Sequence, residues 1–409
     1  MQVSFTCQRD DFVQYEGAKL HYGNLSIGDE LFFYASPLLF ERGIRAQKIK
    51  MGEHLGVPIF FIHSNNPELP FDPFAASFFL LSRYEEYLPH QKDEHGRFPA
   101  EESVAYKHHF LHLPVVDIWI DMLREVLLKH YPNTPIVRRQ YKFVPTYDID
   151  IAYAYRNKGL LRNLGGYLQS LRHGRIDTMR YRTRVLFGFD PDPYDTYDFQ
   201  MALQQKYGFR PSYFFLVGDY AMYDKNISIE KLTYQNLIRY LADFYDAGIH
   251  PSYESNKSDK ILRREIADLA QIIRRDIKKS RQHYLKLSIP QTYQQLIALD
   301  IEKDYSMGYS SQLGFRAGTS SSFDFYDLSL ETPTYLRIMP FAVMDVTLHD
   351  YLKLSPELAV QKVGQLIAVT KKVNGLFCTI WHNHTLSDAG DWQGWRQVYA
   401  DIVDLAMNK

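Results

Sequence analysis

Cysteine is nearly absent from this chain of 409 residues: Cys7 and Cys378 are the only two. That is too few, and too widely separated, for a disulfide framework or a zinc–thiolate cluster. Cys378 lies in Leu376-Phe377-Cys378-Thr379-Ile380, which reads as a buried strand, so its thiol is expected to be an inert core group. An excess of either charge is also missing. The 47 Lys and Arg against 48 Asp and Glu leave a formal net charge of −1, which argues against the basic footprint of a nucleic-acid-binding protein. No apolar run reaches the roughly 18 residues of a membrane span, so none is expected. The first residues, Met1-Gln2-Val3-Ser4-Phe5-Thr6-Cys7, lack the apolar segment of a secretory signal, and the default expectation is a cytoplasmic protein. No internal repeat or low-complexity segment occurs.

What is present is a folding composition, 45% apolar and 23% charged. The 31 Tyr and 26 Phe are of the kind that lines sugar-binding grooves, although the same rings serve as plain core. The length suggests two domains. In a first unit, residues 1–140, Val57–His63 reads as a buried strand, and Pro73–Tyr87 has helical spacing behind an Asp72 cap with proline at the first helical position. Val116–His130 reads as a second helix. From Phe143 the pattern becomes short apolar strands alternating with helices. Strands are expected at Phe143–Tyr147, Ser212–Val217, Tyr284–Ile289 and Phe377–Trp381, and helices at Leu232–Asp246, Asp259–Lys279 and Pro356–Lys372. Such alternation over residues 141–409 predicts an α/β fold with a parallel sheet or barrel. It is interrupted by an insertion at about 155–195, rich in Arg and Leu, which reads as a solvated helical face or a lid over a groove.

Chemistry-bearing residues collect at a few points. Asp148 and Asp150 alternate along a strand end, so they face opposite sides unless the strand breaks there. If it does, one can hold a metal while the other accepts a proton; otherwise they are a solvated pair opening a loop. His250 and Glu254 stand one helical turn apart, after a run read as helix to Ala247-Gly248, and are ordinary ligands for a divalent ion. His382 and His384 follow the last apolar strand, where a histidine suits a general acid; His382 is preferred. Arg281, in Arg281-Gln282-His283-Tyr284, or Arg316, in Gly314-Phe315-Arg316-Ala317-Gly318-Thr319, would orient a catalytic aspartate, if either is more than an ordinary ion pair.

Taken in order, Thr146-Tyr147-Asp148-Ile149-Asp150, His250-Pro251-Ser252-Tyr253-Glu254, Arg281-Gln282-His283-Tyr284 and His382 resemble the motifs of the polysaccharide deacetylases (NodB type, carbohydrate esterase family four). Within them the chain resembles a bacterial subgroup with an extra N-terminal α/β domain, a Ser82-Arg83-Tyr84-Glu85-Glu86-Tyr87 segment and the Gly314–Thr319 segment. The resemblance implies a distorted (β/α)7 barrel over residues 141–409 with its site at the C-terminal ends of the strands. It implies a divalent metal held by Asp150, His250 and Glu254, zinc first and manganese, cobalt or nickel after it. Asp148 would be the base, oriented by Arg281 or Arg316, and His382 the acid. The implied activity is removal of an N-acetyl group from an amino sugar of a glycan or its precursor. In the family the second motif is His-x-x-x-His, whereas Glu254 stands here. That extra negative charge would weaken the metal as a Lewis acid. A degenerate barrel that only binds glycans, or a hydrolase of another amide, are the alternatives.

Overall fold

The structure is a computed structural model that describes residues 3–64 and 68–408. In the first unit, β1 (Leu20–Gly23) pairs in parallel with β2 (Leu31–Tyr34), and β3 (Gly52–His54) forms an antiparallel hairpin with β4 (Val57–Ile59). The strand expected over Val57–His63 thus stops after three residues, where Phe61 takes a left-handed φ of 56°. The helix Pro73–Leu81 begins as its sequence dictates: Asp72 Oδ1 accepts from the N–H groups of Phe74 and Ala75 at 3.0 and 2.9 Å. It ends at Leu81 rather than Tyr87. Arg83 turns left-handed at φ 54°, and Tyr84–Tyr87 forms a separate single turn. The helix Val115–His130 lies where the periodicity put it.

The rest of the chain is built on one nine-stranded sheet, and the fold is mixed α/β. Its strands are β5 (Lys142–Ile149), β6 (Ser212–Phe215), β7 (Asp246–Ile249), β8 (Lys279–Ser280), β9 (Lys303–Asp304), β10 (Phe323–Asp327), β11 (Thr332–Ile338), β12 (Val343–Met344) and β13 (Leu376–His382). Their spatial order is β10-β11-β9-β8-β7-β6-β5-β13-β12, and only β10 with β11 is antiparallel. Among the described residues no ladder joins β10 to β12.

Three expectations need correction. The run before His250 is strand at its end, not helix, because the helix Leu232–Phe244 stops and β7 follows. Gly248 is required there: a Cβ would lie 2.6 Å from the Phe214 ring and 2.9 Å from the Lys279 carbonyl. The helix from Asp259 ends at Ile273, where Arg274 is left-handed at φ 57°, and this frees Lys279–Ser280 to join the sheet. No strand covers Tyr284–Ile289, since Tyr284 and Leu285 both have positive φ, 58° and 51°.

Three apolar clusters form the core. The largest and a small one around Phe214, Phe341 and Ile380 pack on the large sheet, and the third is drawn mostly from residues 31–126, with Tyr309 and Leu328 added from the sheet side. The Ser82–Tyr87 and Gly314–Thr319 segments meet across this seam. Arg316 grips Glu86 with a fork of 2.9 and 2.6 Å, Arg83 adds a third bond to Glu86 at 2.8 Å, and Arg83 also donates to the Arg316 carbonyl. All three side chains are buried. The backbones approach closely enough for Phe315 N–H to reach the Leu111 carbonyl at 2.8 Å, and a Cβ at Gly314 would overlap that carbonyl. Charges buried this way survive desolvation only because each finds a geometrically matched partner.

Candidate metal centre and active site

Parallel strands in register bring their C-terminal ends to one place. His382 on β13 stands opposite Asp148 on β5, and Ile249 and Ser280, ending β7 and β8, are paired neighbours. Strand β5 stops at Ile149, so Asp150 lies past the last ladder pair. Asp148 and Asp150 therefore line the same cavity, of about 270 Å³, together with His250, His283, His382, His384, Tyr223, Tyr284 and Arg97.

Asp150, His250 and His283 form a cluster that can hold a metal, their ligand atoms all lying within 4.8 Å of one another. His250 Nδ1–H donates to the Arg281 carbonyl at 2.5 Å. Its Nε2 lone pair then faces Asp150 Oδ1 at 3.2 Å. A lone pair against a carboxylate oxygen is not a hydrogen bond, and Asp150 Oδ1 is buried with no other partner. A divalent cation resolves that arrangement, and two imidazoles with one carboxylate are an ordinary donor set for zinc and its neighbours. His283 is fixed from behind, its Nδ1–H donating to the buried Asp224 at 2.7 Å with Nε2 turned to Asp150 Oδ2 at 3.6 Å. A carboxylate behind a ligating histidine sets its tautomer and ring orientation. Asp224 is itself pinned by the Tyr253 N–H at 3.0 and 3.2 Å.

Glu254 is not among these residues. It is half exposed and pairs with Lys257 at 3.7 Å. The reason is local: β7 ends at Ile249, and the segment after His250 is a loop and a short turn rather than a helix, so a spacing of four does not place both side chains on one face. The second imidazole of the cluster belongs to His283, inside the Arg281–Tyr284 segment.

Asp148 is held by Arg281, whose Nη1 donates to Asp148 Oδ1 at 2.8 Å and to Thr146 Oγ1 at 2.6 Å. Arg281 Nε binds the Tyr305 carbonyl at 3.1 Å and the guanidinium stacks on Phe214, while its buried Nη2 has no hydrogen-bond partner. Among the described residues Asp148 Oδ2 makes no hydrogen bond, and it lies 3.8 Å from His250 Nε2. Arg316, the other candidate to orient Asp148, belongs to the seam with Glu86.

His382 is backed by a residue that the sequence did not single out. Asp345, just after β12, accepts from His382 Nδ1–H at 2.8 Å and is itself bound by the His382 N–H at 2.7 Å and by Thr385. His382 Nε2 thus points to the cavity, 3.6 Å from Asp150 Oδ2. Burial alone would lower its pKa, but Asp345 and then Asp150 outweigh it and push it up to about 10. His283 behaves likewise: burial opposes the charge, and Asp150 and Asp224 raise it to about 9. Asp150, which burial would raise, is held well below the carboxylate range by His283 and His382. His384 goes the other way, pushed down to about 4 by burial and by His382, and its buried Nδ1 has no partner.

A second cavity of about 320 Å³ adjoins the first, sharing Arg97, Leu285, Ser310 and Tyr351 and walled by residues 93–101 of the N-terminal unit. Arg97 is anchored by Asp93 at 2.6 Å and by the Tyr284 carbonyl at 2.6 Å.

Comparison with known proteins gives a family model over part of the chain: a family of unknown function (DUF7033) matches residues 1–132. Among curated proteins no sequence matches. Three solved structures resemble the chain in part. One, from Mycobacterium smegmatis and provisionally assigned as a polysaccharide deacetylase, is 12% identical with a TM-score of 0.40, covering 66% of this chain and 88% of its own. The Xyl-CE4 domain of a multidomain xylanase from the hindgut metagenome of Trinervitermes trinervoides is 10% identical with a TM-score of 0.30, over 65% and 82%. Puue allantoinase is 9% identical with a TM-score of 0.39, over 67% and 94%. No helix among the described residues is long and apolar enough to cross a membrane.

Proposed function

We propose that this protein is a metal-dependent hydrolase that cleaves an amide C–N bond, and that its substrate is an N-acetylated amino sugar of a glycan or glycan precursor. The observation that carries the reading is Asp150, whose buried, unpartnered Oδ1 faces the His250 imidazole and whose Oδ2 faces that of His283, beside a carboxylate and a histidine that are each separately oriented. The Asp-His-His set has one less negative charge than the Asp-His-Glu set expected from Glu254, and this removes the ground for expecting a weak Lewis acid. Asp150, His250 and His283 would hold the metal, which when bound acts as a Lewis acid on the amide carbonyl.

The remaining work falls to the chain's own groups. Arg281 keeps Asp148 aimed, so that its free Oδ2 takes a proton from the attacking water. As the C–N bond breaks, His382 Nε2 gives a proton to the departing nitrogen. The Asp345 carboxylate favours the charged form of His382. His384 is uncharged at neutral pH and cannot serve as that acid. Tyr223 and Tyr284 at the cavity wall, and the second cavity beyond Arg97, suit a sugar chain longer than one ring.

The test is acetate release from N-acetylated oligosaccharides by the metal-loaded protein, wild type beside Asp148→Asn. A general base contributes about 10²–10⁴-fold, so the variant should lose turnover on that scale while retaining metal. Equal turnover in the two proteins would remove Asp148 from this role. Release from linear or cyclic amides but from no sugar would keep the chemistry and change the substrate.

A further inference from the structure

The helix Leu160–Arg172 is turned inside out. Leu160, Leu161, Leu164, Leu168 and Leu171 are 81, 85, 50, 68 and 61% exposed. At 3.6 residues per turn these five positions fall within an arc of about 100°. The side against the protein carries Asn163, Gly166, Tyr167 and Ser170, and its contacts are polar. Tyr167 OH bonds Thr183 Oγ1 at 2.7 Å, Arg182 donates to the Asn163 carbonyl at 3.1 Å, and a Cβ at Gly166 would overlap the Arg182 guanidinium. A helix of a soluble domain normally buries its apolar stripe; this one presents it. The following helix, Ile176–Leu186, continues the surface with Ile176 at 57%, and Phe187 and Phe189 beyond it are 74 and 73% exposed.

The same hairpin is basic in a chain that is nearly neutral. Residues 160–187 contain six arginines and a single acidic residue, Asp177. Arg172, Arg175 and Arg180 are exposed around the turn between the helices. An apolar arc bordered by arginine complements an anionic lipid surface, whose acyl region accepts the leucines and whose headgroups meet the arginines. Two copies packed through this face by a twofold would instead bring their arginines together.

The hairpin is not a loose appendage. Arg162 ties it down, donating to the carbonyls of Asn226 and Lys225 at 2.9 Å each and stacking on Tyr220. The segment 152–159 links it to Asp150 and Ile151, which line the cavity, as does Lys225. We propose that this helical hairpin docks the protein on the surface of an anionic phospholipid bilayer and so sets the mouth of the cavity beside the headgroups. The proposal does not depend on the hydrolytic reading.

The test is sedimentation of the full chain with vesicles of phosphatidylcholine alone and of equal parts phosphatidylcholine and phosphatidylglycerol. Three proteins are compared: wild type, the triple variant Leu161→Ser, Leu164→Ser, Leu168→Ser, and the triple variant Arg172→Gln, Arg175→Gln, Arg180→Gln. Wild type should bind the anionic vesicles, and each variant should bind about tenfold more weakly or worse. Circular dichroism should show both variants folded, because every substituted side chain is exposed. Failure of wild type to bind anionic vesicles would overturn the proposal. So would equal binding by the leucine variant, or a wild-type dimer that the leucine variant converts to monomer without any lipid affinity.

Discussion

Replacing Asp224 by alanine tests the centre through a residue that would never touch the metal. Asp224 is 1% exposed and holds His283 Nδ1–H at 2.7 Å, so its loss frees the ring to rotate and to change tautomer. Removing such a carboxylate behind a ligating histidine weakens metal binding about 10–100-fold, or about 1.4–2.7 kcal/mol. A second effect opposes it. Asp224, after Asp150, helps raise the His283 pKa to about 9, so in the wild type a proton competes with the metal at neutral pH. Without Asp224 that competition eases. The loss of affinity should therefore be smaller at pH 7 than above pH 9, where the proton is gone from both proteins. Asp224→Asn keeps one acceptor oxygen and should lose less. Metal titration by calorimetry at the two pH values measures all three proteins. Circular dichroism is run alongside because the Tyr253 N–H loses its partner as well. Equal affinity of wild type and Asp224→Ala above pH 9 would refute the reasoning.

Metal uptake by the wild type at pH 7 should release about one proton, from His283, because a ligand must be deprotonated to bind. Calorimetry in buffers of different ionisation enthalpy counts it, and a heat independent of buffer would contradict the assignment. Arg316→Met should cost about 3 kcal/mol in denaturant unfolding, the low end for a broken buried pair because Arg83 still holds Glu86. It should leave metal affinity unchanged, which would separate the seam from the site. Native protein should expose a single reactive thiol, Cys7, since Cys378 is buried and its pKa is pushed up to about 11; rapid reaction of both would show that the last strand opens.

What was legible in the sequence was whatever a strand or a long helix announces. Asp148, Asp150 and His382 stand at the ends of strands of eight and seven residues, and short continuous apolar runs made those strands visible. The helix Pro356–Lys372 carries its own cap signals and lies where they put it. His283 was hidden because the strand before it has only two residues, too short for any periodicity, and the turn after it is left-handed. Glu254 stands apart from the cluster because spacing of four means one face only on a helix, and the chain there is a loop. Asp224 stands in a loop and Asp345 opens the helical turn after β12, both as solitary aspartates, and only the fold shows that each backs a histidine. Arg316 looked like a site residue for the same reason that it is a seam residue. A buried arginine needs a carboxylate, and which one it meets, Asp148 or Glu86, is decided by tertiary packing. The inverted helix at Leu160 was readable as Arg- and Leu-rich, but which side faced outward was not.

The most direct test of the account is metal content and affinity of the protein purified without chelator, wild type beside His283→Ala and Glu254→Ala. The geometry predicts about one divalent ion per chain in wild type and in Glu254→Ala, and its loss in His283→Ala. Retention in His283→Ala with loss in Glu254→Ala, or no metal in wild type after soaking in zinc or manganese, would contradict the centre described above.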